Sequence, residues 1–125
     1  MEDLSADAPV DIDAILVFTE GDPEDEKELF EMFIEQMEFS LLDLEKSMKE
    51  GNGDAWRKTA HRMKGAAVNL GANIFCMSCK EADENIDMTL EDKKKIFLRM
   101  KEQMKDVSQF LEERTVLPYF ASENR

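Results

Sequence analysis

The chain has 125 residues, 42% hydrophobic and 36% charged, with a formal net charge of −13 and one histidine. That length supports a single domain with a sizeable core, and the apolar fraction excludes a disordered chain. The acidity argues against nucleic acid as a partner, and no run approaches the roughly 18 apolar residues of a membrane span.

The opening "MEDLSADAPVD" is acidic and lacks the basic and apolar regions of a secretory signal, so residues 1–10 read as a flexible acidic N-terminus and the protein as cytoplasmic. "DIDAILVFT" (11–19) predicts a short helix stopped at Gly21. Asp22, Pro23 and the acids Glu24, Asp25 and Glu26 form a helix start: an N-cap, a proline at the first position and charges that complement the dipole. Leu29, Phe30, Phe33, Ile34, Met37, Leu41, Leu44 and Met48 then recur as one apolar stripe. Gly51 suits the end of that helix, and Asp54 the N-cap of the next.

The third predicted helix runs from about Ala55 to Leu70, with Trp56, Ala60, Met63, Ala67 and Leu70 on one face and Gly71 at its end. Asn73 is the expected cap of a fourth helix, striped by Phe75, Cys79, Ala82 and Ile86. Thr89, with Asp92 three residues on, predicts the start of the last helix. Its stripe is Ile96, Phe97, Met100, Met104, Val107 and Leu111; Pro118 and "ASENR" read as a loose tail over 118–125. Short connections make neighbouring helices antiparallel. The expected fold is therefore all-α: an antiparallel up-down four-helix bundle over residues 11–117, with a short extra N-terminal helix, and monomeric.

Charge is unevenly placed. Residues 1–31 hold twelve acids and one base, whereas no acid lies between Asp54 and Glu81, where Arg57, Lys58, Arg62, Lys64 and Lys80 fall. His61 lies inside this locally basic segment. At about 100° per residue, it falls about 140° from the centre of its helix's stripe, which disfavours a core histidine. Arg57, Lys64, Gly65 and Val68 are its helical neighbours.

These neighbours make sense if the imidazole carries a phosphoryl group. A neutral imidazole is a good nucleophile near neutral pH, and a nearby cation favours the neutral form. Lys64 can donate a charge-assisted hydrogen bond to the phosphoryl group, worth roughly 1.5–3 kcal/mol. Gly65 costs about 1 kcal/mol against alanine in a helix interior. It lies off the packing stripe, so its missing side chain reads as clearance for another protein's active site.

"HRMKGAAVNLG" resembles the signature of the histidine-containing phosphotransfer (HPt) domain: His61, Met63, then Lys64-Gly65, Ala66-Ala67, and Gly71. The resemblance extends upstream to "GDPEDEKELFEMFIEQ" and covers the order of the helices. It implies a phosphorelay intermediate that takes a phosphoryl group from one receiver-domain aspartate and passes it reversibly to another. The implied partners are response-regulator receiver domains and hybrid histidine kinases. No cofactor is implied on this chain, since magnesium belongs to the receiver. The resemblance makes His61 the phosphoacceptor, Lys64 the phosphate-supporting lysine and Gly65 the clearance glycine.

One position departs from the pattern. Family members often carry Gln or Glu on the next helix beside the histidine, and the matching residue here is Asp83, a shorter acid that can still hold the imidazole's other nitrogen. Histidine kinases resemble the chain less. They place an acid directly after the histidine and a proline soon after, whereas Arg62 and Ala66 stand here, with no nucleotide pocket. The expectation is a phosphocarrier without autokinase activity. The rival reading is a helical adaptor that binds a signalling partner through the same face without phosphoryl chemistry.

Other features weigh less. "CMSC" (76–79) lacks the further ligands of a zinc site and the preceding strand of a thioredoxin, so Cys79 reads as a reduced core thiol. Nine methionines suit pliable core filling. Met32, Phe39 and Leu42 lie off the main stripe of the second helix. They fit either contact with the first helix or, with Val68, a receiver-docking patch. Arg57 is a supporting candidate from the helical wheel alone. The acidic N-terminal third reads as a solvated face that would also deter acidic partners.

Overall fold

The computed structural model describes residues 8–85 and 87–123, with side chains described as far as Arg114. The described residues form five helices: α1 (Ile12–Thr19), α2 (Pro23–Lys49), α3 (Gly53–Leu70), α4 (Asn73–Glu84) and α5 (Leu90–Glu123). No strand occurs among them.

Local chemistry sets most of the boundaries. Asp11 caps α1 by accepting the Asp13 N–H at 3.0 Å. The chain leaves α1 through Glu20 and Gly21, both at positive φ. Asp22 Oδ1 accepts from the N–H groups of Glu24 (2.9 Å) and Asp25 (3.3 Å), with Pro23 as the first residue of α2. Gly51, at φ 68°, follows the end of α2. Thr89 Oγ1 accepts the Asp92 N–H at 3.1 Å, as its spacing predicts.

Two caps differ from expectation. α3 is capped by Asn52, whose Oδ1 accepts the Ala55 N–H at 3.0 Å, so the helix begins at Gly53. Asp54 instead lies in the first turn, paired with Lys58 at 3.2 Å. Asn73 is the first residue of α4 and not its cap. The α3–α4 turn is too tight for a side-chain cap: Gly71 is left-handed at φ 77°, the Ala72 N–H returns to the Ala67 carbonyl at 2.9 Å, and buried Ala72 accepts from Cys76 at 2.8 Å.

The termini also need correction. Val10 is 1% exposed, and the Asp11 N–H donates to the Gly71 carbonyl at 2.8 Å, so residues 8–10 are tied to the fold; residues 1–7 lie outside the described residues. The helical backbone of α5 continues through Pro118 to Glu123, beyond the expected end at 117. Proline within a helix removes one backbone donor and crowds the carbonyl four residues back, at a cost of about 3 kcal/mol, which is why the sequence reads as ending there. Residues 124–125 and Ile86, assigned above to the α4 stripe, lie outside the described residues.

The stripes meet in one core. Phe30, Phe33, Met37, Leu44 and Met48 of α2 face Trp56, Ala60, Met63, Ala67 and Leu70 of α3 and the complete predicted stripe of α5. Leu29, Ile34 and Leu41 are only partly buried. Around the core α2 touches α3 and α5, α4 touches α3 and α5, and α1 rests on α2 and α3. Each fully buried large side chain, such as Trp56 or Phe75, contributes roughly 1.5–3 kcal/mol of transfer free energy. The buried Trp56 also donates its indole N–H to the Ala82 carbonyl at 3.1 Å, which sets α3 and α4 in register beside the histidine. Among the described residues no helix is long and apolar enough to cross a membrane.

Candidate functional site

With Ala60 and Met63 turned into the core, the helical period points the intervening His61 outward, and its side chain is 70% exposed. On α4, Ala82 is buried against Trp56, which places the next residue, Asp83, at the rim facing α3. The Asp83 side chain is only 15% exposed. Its Oδ2 lies 3.0 Å from His61 Nδ1 and accepts a hydrogen bond from Lys64 Nζ at 3.2 Å. Arg57 Nε donates to the Asp83 backbone carbonyl at 3.4 Å. Four of the residues singled out in the sequence thus meet in one cluster across the α3–α4 seam.

The electrostatics of the cluster are consistent. Desolvation pushes the Asp83 carboxyl up, but the hydrogen bonds from His61 and Lys64, aided by the Lys64 charge, outweigh it and hold the group below its ordinary value. An ionised carboxylate only accepts hydrogen bonds, so in a neutral ring this contact favours the tautomer with the hydrogen on Nδ1 and the lone pair on Nε2. Lys64, 26% exposed, lies one helical turn from His61 on α3. Arg57 reaches the cluster through the backbone carbonyl of Asp83.

Gly65 is exposed, and a Cβ there would meet nothing within 4 Å. Packing within the chain therefore does not require this glycine. Val68 is exposed one turn further on. Met32 and Phe39 are exposed on α2, and Leu42 beside them. Met32 shares an open apolar cleft of about 220 Å³ with Phe18 of α1 and Ala66 and Asn69 of α3, so contact with the first helix and nearness to the histidine's helix hold together. At the level of His61, Arg62 and Asp43 pair at 3.5 Å between α3 and α2.

The sequence reading missed Phe18 and its neighbour Val17, both exposed on α1. The signal was present: Ile15 and Thr19 are the inward positions of α1, and 100° per residue turns the residues between them outward. Larger open grooves lie along α4–α5 and α2–α5, and His61 lines neither.

Cys79 is wholly buried, and burial pushes its thiol up to about 12. Burial also raises the half-buried Cys76 against the opposing charges of Lys64 and Lys80. Both are free thiols held in the protonated form at neutral pH, the opposite of what nucleophilic cysteine chemistry needs. Among the described residues no three His, Cys, Asp or Glu side chains converge as a metal site.

The model of the Hpt domain matches residues 28–113. The crystal structure of histidine-containing phosphotransfer protein B (HptB) from Pseudomonas aeruginosa PAO1 superposes with a TM-score of 0.79 at 23% identity, covering 86% of this chain and 94% of that one. At that identity the likeness speaks to the fold. No curated protein gives a significant match. The family match spans most of α2, the whole of α3 and α4 and the packed length of α5, and so takes in both the core stripes and the His61 cluster. The chain belongs to the histidine-containing phosphotransfer (Hpt) domain family.

Proposed function

We propose that this protein is a reversible phosphocarrier in a multistep two-component phosphorelay, with His61 as the phosphoacceptor. The observation that carries the reading is the pairing of an exposed His61, held through Nδ1 by Asp83 at 3.0 Å, with the Lys64 ammonium on the same carboxylate oxygen. In the forward step the Nε2 lone pair attacks phosphorus of a receiver's aspartyl phosphate. The P–N bond forms, the P–O bond breaks, and the aspartate leaves as a carboxylate. The Nδ1 proton stays on the ring beside Asp83, and Lys64 turns to the phosphoryl oxygens. Delivery to the next receiver is the same step reversed.

Receiver domains, free or within hybrid histidine kinases, are the partners this chemistry fits, and magnesium enters with the receiver. Gly65 gives the receiver's active site room, while Val68, Met32 and Phe39 offer an apolar docking surface beside it. We read the chain as lacking autokinase activity. The short α2–α3 and α3–α4 connections and the cyclic helix contacts support an antiparallel up-down four-helix bundle, acting as a cytoplasmic monomer.

A transfer assay tests the reading. The purified protein is mixed with a panel of phosphorylated receiver domains and magnesium, and acid-labile, base-stable phosphate is followed on this chain. Label on the wild type and none on His61→Gln is the expected result. Binding to a receiver without label from any would favour the adaptor.

A further inference from the structure

We infer that Met32 is a site of reversible oxidation, through which a peroxide weakens docking of the receiver. The inference rests on the carrier reading above and adds a means of regulation to its docking surface. Met37, Met48, Met63, Met100 and Met104 are buried in the core and Met88 is half-buried, whereas Met32 is 70% exposed on α2. An oxidant must reach the sulfur to oxidise it, so the fold shields the core methionines and leaves Met32 open. Among the described methionines only Met77 of α4, at 71%, is as exposed. The two cysteines are poor rivals for the oxidant. Cys79 is wholly buried, and burial raises both thiols, so little thiolate is present at neutral pH.

The two exposed thioethers differ in their surroundings. Met32 lines the cleft of about 220 Å³ between α1, α2 and α3, where Phe18, Leu29, Phe33 and Leu70 make the walls apolar and Gln36 and Asn69 are the polar lining. Ala66 of the same cleft directly follows Gly65, so the cleft adjoins the helix face that presents His61. Met77 lies outside that cleft. An unbranched thioether suits a surface that meets more than one receiver, because the soft side chain adapts to each. Oxidation removes that property at one atom. With hydrogen peroxide an S–O bond forms as the O–O bond breaks; the sulfur loses two electrons and the other oxygen leaves as water. The product is a polar sulfoxide, which sulfoxide reductases return to the thioether. In the free protein, water satisfies the new acceptor oxygen and the fold is kept. Under an apolar receiver surface that oxygen loses its water, which costs about tenfold in affinity.

The test treats the full chain, as wild type, Met32→Leu and Met77→Leu, with hydrogen peroxide, stops the reaction with catalase and adds dithiothreitol to restore the cysteines. Peptide mass mapping locates each added oxygen. Binding of the receiver found by the transfer assay is then measured, each protein against its own untreated form. Wild type and Met77→Leu should lose about tenfold in affinity, and methionine sulfoxide reductase should restore it. Met32→Leu should lose nothing further on treatment. Labelling of His61 by phosphoramidate, a donor too small to need the docking surface, should be unchanged by peroxide. Equal sensitivity of Met32→Leu and wild type, a sulfoxide at Met32 with no loss of affinity, or oxygen added at Met77 and not at Met32 would each overturn this inference alone. A folded wild type that takes no label from phosphoramidate or from any receiver would overturn the carrier reading and this inference with it.

Discussion

On the proposed function, Lys64 serves two partners in turn. In the unphosphorylated site it donates a hydrogen bond to Asp83 at 3.2 Å with the side chain 26% exposed. A phosphoryl group on His61 offers it a more highly charged acceptor one helical turn away. The gain is a charge-assisted hydrogen bond, at the lower end of about 1.5–3 kcal/mol because the ammonium still meets solvent. Lys64→Ala should therefore shift the transfer equilibrium about tenfold toward the receiver. The ratio of phosphorylated carrier to phosphorylated receiver at equilibrium measures it. Circular dichroism should be unchanged, because Asp83 keeps its bond to His61.

On the proposed function, helix α3 carries a conflict between folding and transfer. Gly65 sits in its interior, exposed, with nothing within 4 Å of the place a Cβ would take, so alanine there gains helix propensity without a clash. Gly65→Ala should raise stability by about 1 kcal/mol, or about 4 °C in Tm, while slowing transfer to a receiver. A variant that is more stable and transfers equally fast would remove the clearance role. The start of the same helix offers a cleaner comparison. Asn52→Ala should cost about 1 kcal/mol by removing the bond to Ala55, whereas Asp54→Ala loses only a solvent-exposed pair and a dipole contact, a few tenths. Urea unfolding of the two variants distinguishes them.

At the scale of the whole molecule, Gly71 joins the N-terminal segment to the α3–α4 corner. Its φ of 77° disfavours any side chain, and a Cβ would meet Ala14 Cβ and the Asp11 carbonyl at 2.8 Å each. The Asp11 N–H closes the contact on the Gly71 carbonyl at 2.8 Å. Gly71→Ala should therefore cost more than about 2 kcal/mol, the sum of a left-handed penalty of about 1–2 kcal/mol and displacement of α1. Urea unfolding gives the loss, and faster amide exchange at Asp11 shows where it falls. The α1 shift would also disturb the Phe18–Met32 cleft, so on the proposed function receiver affinity should weaken, while His61, held by Asp83 and by the Trp56–Ala82 bond away from that corner, should keep its acceptance of phosphate.

Residue order alone determined five helices, most of their inward-facing residues and the outward face of His61, because helical periodicity is a local property that adjacent residues express without help. The same local logic brought Lys64, Gly65 and Val68 to that face, and the family pattern singled out Asp83. Helix ends were less legible where two candidates lay close together. Asn52 and Asp54 are both good caps, and only the path of the chain out of α2 decides which side chain reaches a free N–H. Val10 and Phe18 were misread or missed because their surroundings come from helices far along the chain. The tertiary structure alone decided that one oxygen of Asp83 serves both His61 and Lys64. That meeting depends on the register of α4 against α3, which is set by Trp56 bonding to Ala82 across the core, and pairing between distant segments leaves no periodic trace in the sequence.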